Sequence, residues 1–178
     1  MKRKKWLIVF CACCLLVSLA GCGQKEVSEE WEAEQIARLT SIAATTFFDV
    51  DGGSFQLGEP EVSGKPIVIC FWATRSPAST AGLEAFEKAY LQYGEEVLFL
   101  MVNAFDGEAD TVEDAEQLIR EKGYTFPVYY DRAQNLSNSM RIKQFPYTLF
   151  IGKKNQLEHV RNTQLTAEEI GQLIEEIR

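Results

Sequence analysis

Two serines stand three residues apart in the stretch FWATRSPAST, Phe71 to Thr80, where a strand pattern gives way to a helical one. Ser76-Pro77 has a complete structural explanation, because serine is a favoured N-cap and proline a favoured first helical residue. The same residues could do more. Arg75, the hydroxyls of Ser76 and Ser79 and the free N–H groups of a helix start could hold a carboxylate. Nucleophilic catalysis by serine needs a neighbouring base. The sole histidine, His159, lies in QLEHVR, where it is expected to face water, and no Ser-His-acid arrangement is visible. Cys70 sits mid-strand between Ile69 and Phe71 and reads as a small hydrophobe. A reactive role would need an electropositive, accessible setting. One histidine, one available cysteine and scattered carboxylates do not make a metal site, so neither metal nor cofactor is expected.

The N-terminus speaks about location. Lys2, Arg3, Lys4 and Lys5 precede an uncharged apolar run, Trp6 to Leu19, and then Leu19-Ala20-Gly21-Cys22. A run this short with small residues at its end is a secretory signal pattern rather than a spanning helix. Cysteine directly after Ala20-Gly21 resembles the bacterial lipobox, which would make Cys22 the lipid-carrying mature N-terminus. The alternative is an uncleaved anchor, and both readings put the domain outside the cytoplasm. Acyl chains would hold the chain to a membrane at about 0.8 kcal/mol per buried methylene. Of five cysteines, Cys11, Cys13 and Cys14 leave with the signal and Cys22 takes lipid. Cys70 is then alone, and no internal disulfide can form in a compartment that favours them. The chain has 18 basic and 26 acidic residues, net −8; four of the basic residues and none of the acidic ones precede Cys22, which leaves −12 beyond it. That balance argues against nucleic acid and against electrostatic docking on anionic lipid.

The elements that must position Ser76 follow from pattern. Residues 1–21 read as the signal, 22–45 as a polar tether in which Trp31, Ile36 and Leu39 hint at a short amphipathic helix, and 46–178 as one domain. FFDVDGGSFQL reads as a hairpin turning at Asp51-Gly52-Gly53. GKPIVICFWAT is apolar on both faces, as a central strand should be. Pro77 to about Tyr93 is helical, with Leu83, Phe86 and Tyr90 in one stripe. EVLFLMVNAF is a second buried strand. A helix follows with Ala115, Leu118, Ile119 and Lys122 on one side and Gly123 as its stop. FPVYYD is a third strand and AQNLSNSMRI a short helix. YTLFIGKKNQLEHVRN is a hairpin turning at Gly152 to Asn155. Thr166 opens the last helix, with Glu169 completing a capping box and Ile170, Leu173, Ile174 and Ile177 as the buried stripe. The expectation is an α/β domain: a mixed sheet with helices on both faces and an N-terminal β-hairpin.

At this point the chain resembles the thioredoxin fold, and within it the TlpA/ResA-like membrane-tethered thiol–disulfide oxidoreductases of bacteria. DGGSFQL followed by GKPIVICFWAT resembles the N-terminal hairpin and first core strand of that group. GYTFPVYYD resembles its Phe-Pro-Val strand, ending in Asp131, and FPYTLFIG the strand that opens with a cis-proline, here Pro146. The resemblance covers almost all of residues 46–178 in order, and the lipoprotein signal fits the same group. It implies a Cys-x-x-Cys pair where this chain has Ser76-Pro77-Ala78-Ser79. Active members usually carry Trp at Arg75, and often an acidic residue and a proline where Gly82 and Glu84 stand, so the departure extends beyond the serines. A thiolate at a helix N-terminus is stabilised by the dipole and free N–H groups and attacks disulfides. A serine hydroxyl is far less acidic and forms no S–S bond. Implied too is a cis-proline loop beside the pair that meets substrate peptide, so Phe145, Pro146 and Tyr147 would wall a groove next to Arg75, Ser76 and Ser79.

Three functions follow from these residues. The first is a lipid-anchored protein- or peptide-binding module without dithiol chemistry. The second is an active thiol–disulfide oxidoreductase that uses another thiol, through Cys70 or a second protein. The third is a purely structural domain at the membrane.

Overall fold

A computed structural model of the chain describes residues 46–56, 64–108 and 110–178. The signal, Cys22 and the tether lie outside the described residues. Among the described residues seven strands form one sheet in the order β2-β1-β5-β4-β3-β6-β7. The strands are β1 (Thr46–Phe48), β2 (Ser54–Gln56), β3 (Ile67–Trp72), β4 (Leu98–Asn103), β5 (Val128–Tyr130), β6 (Tyr147–Ile151) and β7 (Leu157–Arg161). The helices are α1 (Pro77–Tyr93), α2 (Val112–Lys122), α3 (Asn135–Ser139) and α4 (Ala167–Ile177).

The sheet is mixed for a topological reason. Strands β3, β4 and β5 are parallel, joined through α1 and α2. Right-handed crossovers made in the same direction put both helices on one face. Hairpins bring the antiparallel partners: β6 lies against β3, β7 against β6, and β1 against β5. The N-terminal hairpin turns as the sequence predicts. Asp49 accepts the Gly53 N–H on Oδ1 at 2.7 Å, and Gly52 takes φ +84°, a region open to glycine. The last hairpin closes through Gly152 and Gln156, with Asn155 N donating to Gly152 O at 2.9 Å.

All six residues of β3 are buried, because each face carries its own core. On one face Val68, Cys70, Trp72, Phe99, Met101 and Phe150 meet Leu83 and Phe86 of α1, Ala115 of α2 and the Ile170, Leu173, Ile174 and Ile177 stripe of α4. On the other, Ile69, Phe71, Leu100, Val102 and Leu149 meet Leu136 of α3 and Met140 just beyond it. Helices therefore lie on both faces, three on one and the short α3 on the other. Thr166 and Glu169 form the expected capping box, and Thr111 with Asp114 forms another. Gly123 ends α2 in the left-handed region at φ +68°.

Lys122 departs from expectation. It is exposed, while Ala115 is buried and Leu118 and Ile119 are half-buried. Its ammonium at the helix C-terminus favours both water and the helix dipole. The strand FPVYYD is ordered over only Val128–Tyr130. The Asp131 N–H still donates to Asn103 O of β4 at 2.9 Å, while its side chain accepts from Leu136 N and Ser137 N, both at 2.8 Å, and from Ser137 Oγ at 2.6 Å. Its carboxylate thereby fixes the start of α3.

Candidate functional site

The C-terminal ends of β3 and β4 and the start of β6 reach one end of the sheet, the usual place for sites in open α/β sheets. There α1 begins. Ser76 is its N-cap, with extended φ −93° and ψ 106°, and Pro77 is the first helical residue. Ser76 Oγ accepts from Ser79 N at 3.3 Å and donates to Phe145 O at 3.0 Å. The Phe145–Pro146 bond is cis. One hydroxyl thus ties the helix start to the proline loop across 69 residues of sequence. Pro146 is buried, Phe145 and Tyr147 are half-buried, and Tyr147 enters β6 opposite Phe71 of β3.

Ser79 goes elsewhere. Its position continues the stripe of Leu83 and Phe86 along α1, so it points at the core. It is 1% exposed, and its hydroxyl has no hydrogen-bond partner among the described residues. The expectation that Ser79 lines a surface beside Ser76 is corrected by that geometry. Pro77 and Ala78 are the exposed residues of the turn.

Arg75 is exposed and pairs with Asp106 at 2.8 Å, an exposed ion pair that contributes little stability. A stronger latch lies beneath. Asp110 is fully buried and accepts from Thr74 Oγ1 and, at 3.3 Å, from Arg75 N. Asp106 Oδ1 accepts from Glu108 N and Asp110 N at 3.0 Å each. The loop after β4 is thereby locked to the loop after β3. Sequence reading missed Thr74, Asp106 and Asp110. Two adjacent parallel strands send their following loops to the same end of a sheet, and that rule is the signal that pairs Thr74 with the FDGEAD loop.

His159 is not part of this site. It pairs with Phe150 across β6 and β7, three residues or about 10 Å along the strand from Tyr147. Its ring sits edge-on to Phe150, and Nε2 lies 2.7 Å from Glu176. The side chain is 25% exposed and reaches an exposed carboxylate of α4, so it faces water only in part. The Ser76 hydroxyl directs its proton at the Phe145 carbonyl and not at a side-chain base among the described residues.

Cys70 is 1% exposed, and burial pushes its thiol up to about 12, against a smaller downward pull from the Thr148 hydroxyl. Among the described residues no other cysteine is present, and no three His, Cys, Asp or Glu side chains gather as metal ligands. The site can therefore present a shaped, hydrogen-bonded surface. Among the described residues its polar groups are hydroxyls and carboxylates engaged in hydrogen bonds, and the one thiol lies buried in β3.

Comparison with known proteins places this geometry. Residues 33–160 match the profile described as the AhpC/TSA family. The thiol-disulfide oxidoreductase ResA of Oceanobacillus iheyensis is 25% identical over 181 residues, covering 99% of this chain and 92% of the relative. Among solved structures, StoA of Bacillus subtilis superposes with a TM-score of 0.63 at 20% identity, over 75% of this chain and 98% of its own. The exposed lipoprotein thioredoxin Etrx1 of Streptococcus pneumoniae does so with a TM-score of 0.61 at 23% identity, over 74% and 98%. At those identities the two structures speak for the thioredoxin fold, which the mixed sheet and flanking helices match.

Proposed function

The chain belongs to the AhpC/TSA family, and from that premise we propose that it is a lipid-anchored, extracytoplasmic thioredoxin-like protein that has left dithiol chemistry behind and binds a protein or peptide partner. Its fold is that of the ResA/TlpA-like thiol–disulfide oxidoreductases. Relatives are thiol-disulfide oxidoreductases by name, and one structural neighbour is an exposed lipoprotein. An extracytoplasmic location agrees with both, and with the lipobox pattern at Cys22.

One observation carries the loss of redox chemistry. The helix start, where such chemistry needs a stabilised thiolate, holds Ser76, whose hydroxyl is spent on Phe145 O and Ser79 N. The sole thiol among the described residues, Cys70, is buried with a pKa of about 12. Burial holds that thiol in its neutral form at neutral pH. Disulfide exchange through either group has no competent nucleophile.

Binding is supported by what remains intact. Ser76, the cis-Pro146 loop and the Asp110 latch hold three loops together, and there Pro77 and Ala78 are exposed while Phe145 and Tyr147 are half-buried. A reduction assay of the full-length chain in detergent, with insulin as the disulfide and dithiothreitol as reductant, tests the redox half. No turnover above the protein-free control is expected, and a gain is expected in Ser76→Cys/Ser79→Cys. Turnover by the natural chain would overturn the proposal. Cys22→Ala should release the protein from the membrane fraction; continued membrane association would sink the lipid anchor. Photo-crosslinkers at Ala78 and Tyr147 should capture one partner, and capture of none would sink the binding half.

A further inference from the structure

The stretch 132–157 contains Arg132, Arg141, Lys143, Lys153 and Lys154 and no acidic residue, in a chain whose net charge is −8. All five cations are exposed. Lys153 and Lys154 occupy the β6–β7 turn, at the other end of the sheet from Pro146, and Arg132 lies over the Phe48 ring at 5.1 Å. Arg141 and Lys143 remain, in the loop that leads into the cis bond. Among the described residues no carboxylate pairs with either.

Their placement is fixed. Arg141 N donates to Asn138 O at 3.0 Å and Ile142 N to Ser137 O at 2.9 Å, while Ile142 is buried in the core between them. Both flanking side chains are therefore turned to solvent. Lys143 stands two residues and Arg141 four residues before Phe145. Their Cα atoms lie within about 8 and 15 Å of the residue whose carbonyl holds Ser76. In the loop after β4, Asp110 is buried and Asp106 pairs with Arg75, which leaves Glu108 as the exposed carboxylate of the three. The charge that the α3–β6 side presents beside Pro146 is therefore cationic.

We propose that the partner of this surface is a polypeptide segment that places acidic side chains against Arg141 and Lys143. This rests on the binding reading above and adds the chemistry and orientation of the partner. Two exposed pairs of this kind discriminate by about threefold to tenfold, and they do so more through orientation and encounter than through raw affinity.

The test uses the full-length chain in nonionic detergent and two dye-labelled peptides that share one apolar core. One peptide ends in two aspartates and the other in two lysines. Fluorescence anisotropy should show the acidic peptide binding about fivefold tighter at low salt. The difference should shrink at about 0.5 M salt. It should vanish in Arg141→Asn/Lys143→Gln, with binding of both peptides retained. Asparagine is chosen because position 141 has φ +55°, which it tolerates; an unchanged circular dichroism spectrum confirms that the variant folds. Equal affinities, or a preference for the lysine peptide, would overturn the acidic-partner inference and leave the binding surface standing. Binding of neither peptide would overturn the surface itself, and this inference with it.

Discussion

Ser76 is the residue through which the site can be taken apart. Its hydroxyl makes two bonds, one accepted from Ser79 N as an N-cap and one donated to Phe145 O. Ser76→Ala removes both. Loss of an N-cap costs about 1 kcal/mol, and loss of a half-buried hydrogen bond to a carbonyl about another 1 kcal/mol. A domain of roughly 130 residues loses about 3–4 °C of melting temperature per kcal/mol, so the Ala variant should melt about 7 °C below the natural chain. Ser76→Asp separates the two roles. Aspartate caps a helix as well as serine does, yet it has no proton for Phe145 O and sets a carboxylate against that carbonyl. It should recover the cap and still lose at least about 1 kcal/mol. Thermal unfolding followed by far-UV circular dichroism reads both. If Ser76→Asp melts with the natural chain, the link to the proline loop contributes nothing and Ser76 is only a cap. If Ser76→Ala also melts there, neither bond matters and the site is not held together in this way.

Further outcomes follow from three buried groups. Cys70 should resist alkylation in the folded chain at pH 8 and react fully on denaturation, read by mass spectrometry of the peptide that carries it; labelling in the native state would contradict its burial. The folded pKa of that thiol is raised above its ordinary value of 9.0 to about 12, so its contribution to stability is whole below pH 9 and declines between pH 9 and 12, by about 1.4 kcal/mol per pH unit. Cys70→Ala should flatten that part of a stability–pH curve, and an unchanged slope would assign it to other groups. Glu87, buried in α1, accepts from Thr125 N at 2.8 Å, Thr125 Oγ1 at 2.7 Å and Phe126 N at 3.2 Å. Glu87→Ala should lose about 3 kcal/mol in urea unfolding and Glu87→Gln roughly half of that, whereas equal losses would show that the charge and not the acceptor geometry matters. Asp110→Asn keeps one acceptor for Thr74 and Arg75 and should cost about 1–2 kcal/mol; no loss would mean that the β3 and β4 loops do not depend on that latch.

The parts of this molecule that could be read from sequence are those whose signal is local. IVICFW declared a strand covered on both faces, and that burial is what two cores produce. Thr166 with Glu169 and Gly123 marked helix ends through bonds that span a few residues. The cis bond at Pro146 entered through resemblance, and the structure has it. The polar contacts that assemble the site are another matter. Thr74 reaches Asp110 over 36 residues, Glu87 reaches Thr125 over 38 and Ser76 reaches Phe145 over 69. None has a periodicity, since each exists only after the sheet has set its neighbours. The contact of His159 with Glu176 of α4 has no periodicity to announce it either.

Ser79 separates what the scaffold tolerates from what it needs. Its hydroxyl is buried without a partner, and an unsatisfied buried hydroxyl costs about 1–3 kcal/mol. Removing the oxygen in Ser79→Ala opens a space smaller than one methylene, a cost of under about 1 kcal/mol, and alanine is also the better helix former. The balance favours the variant by up to about 1 kcal/mol. Cysteine at the same place needs no hydrogen bond and packs as a small hydrophobe, so Ser79→Cys should be at least as stable as serine, while Ser76→Cys should lose the cap and the link to Phe145. Opposite signs at two serines three residues apart would mean that position 79 still suits sulfur while position 76 has been rebuilt around oxygen. A loss of more than about 1 kcal/mol in Ser79→Ala, measured by urea unfolding, would show instead that the buried hydroxyl is satisfied and that both positions have been rebuilt around oxygen.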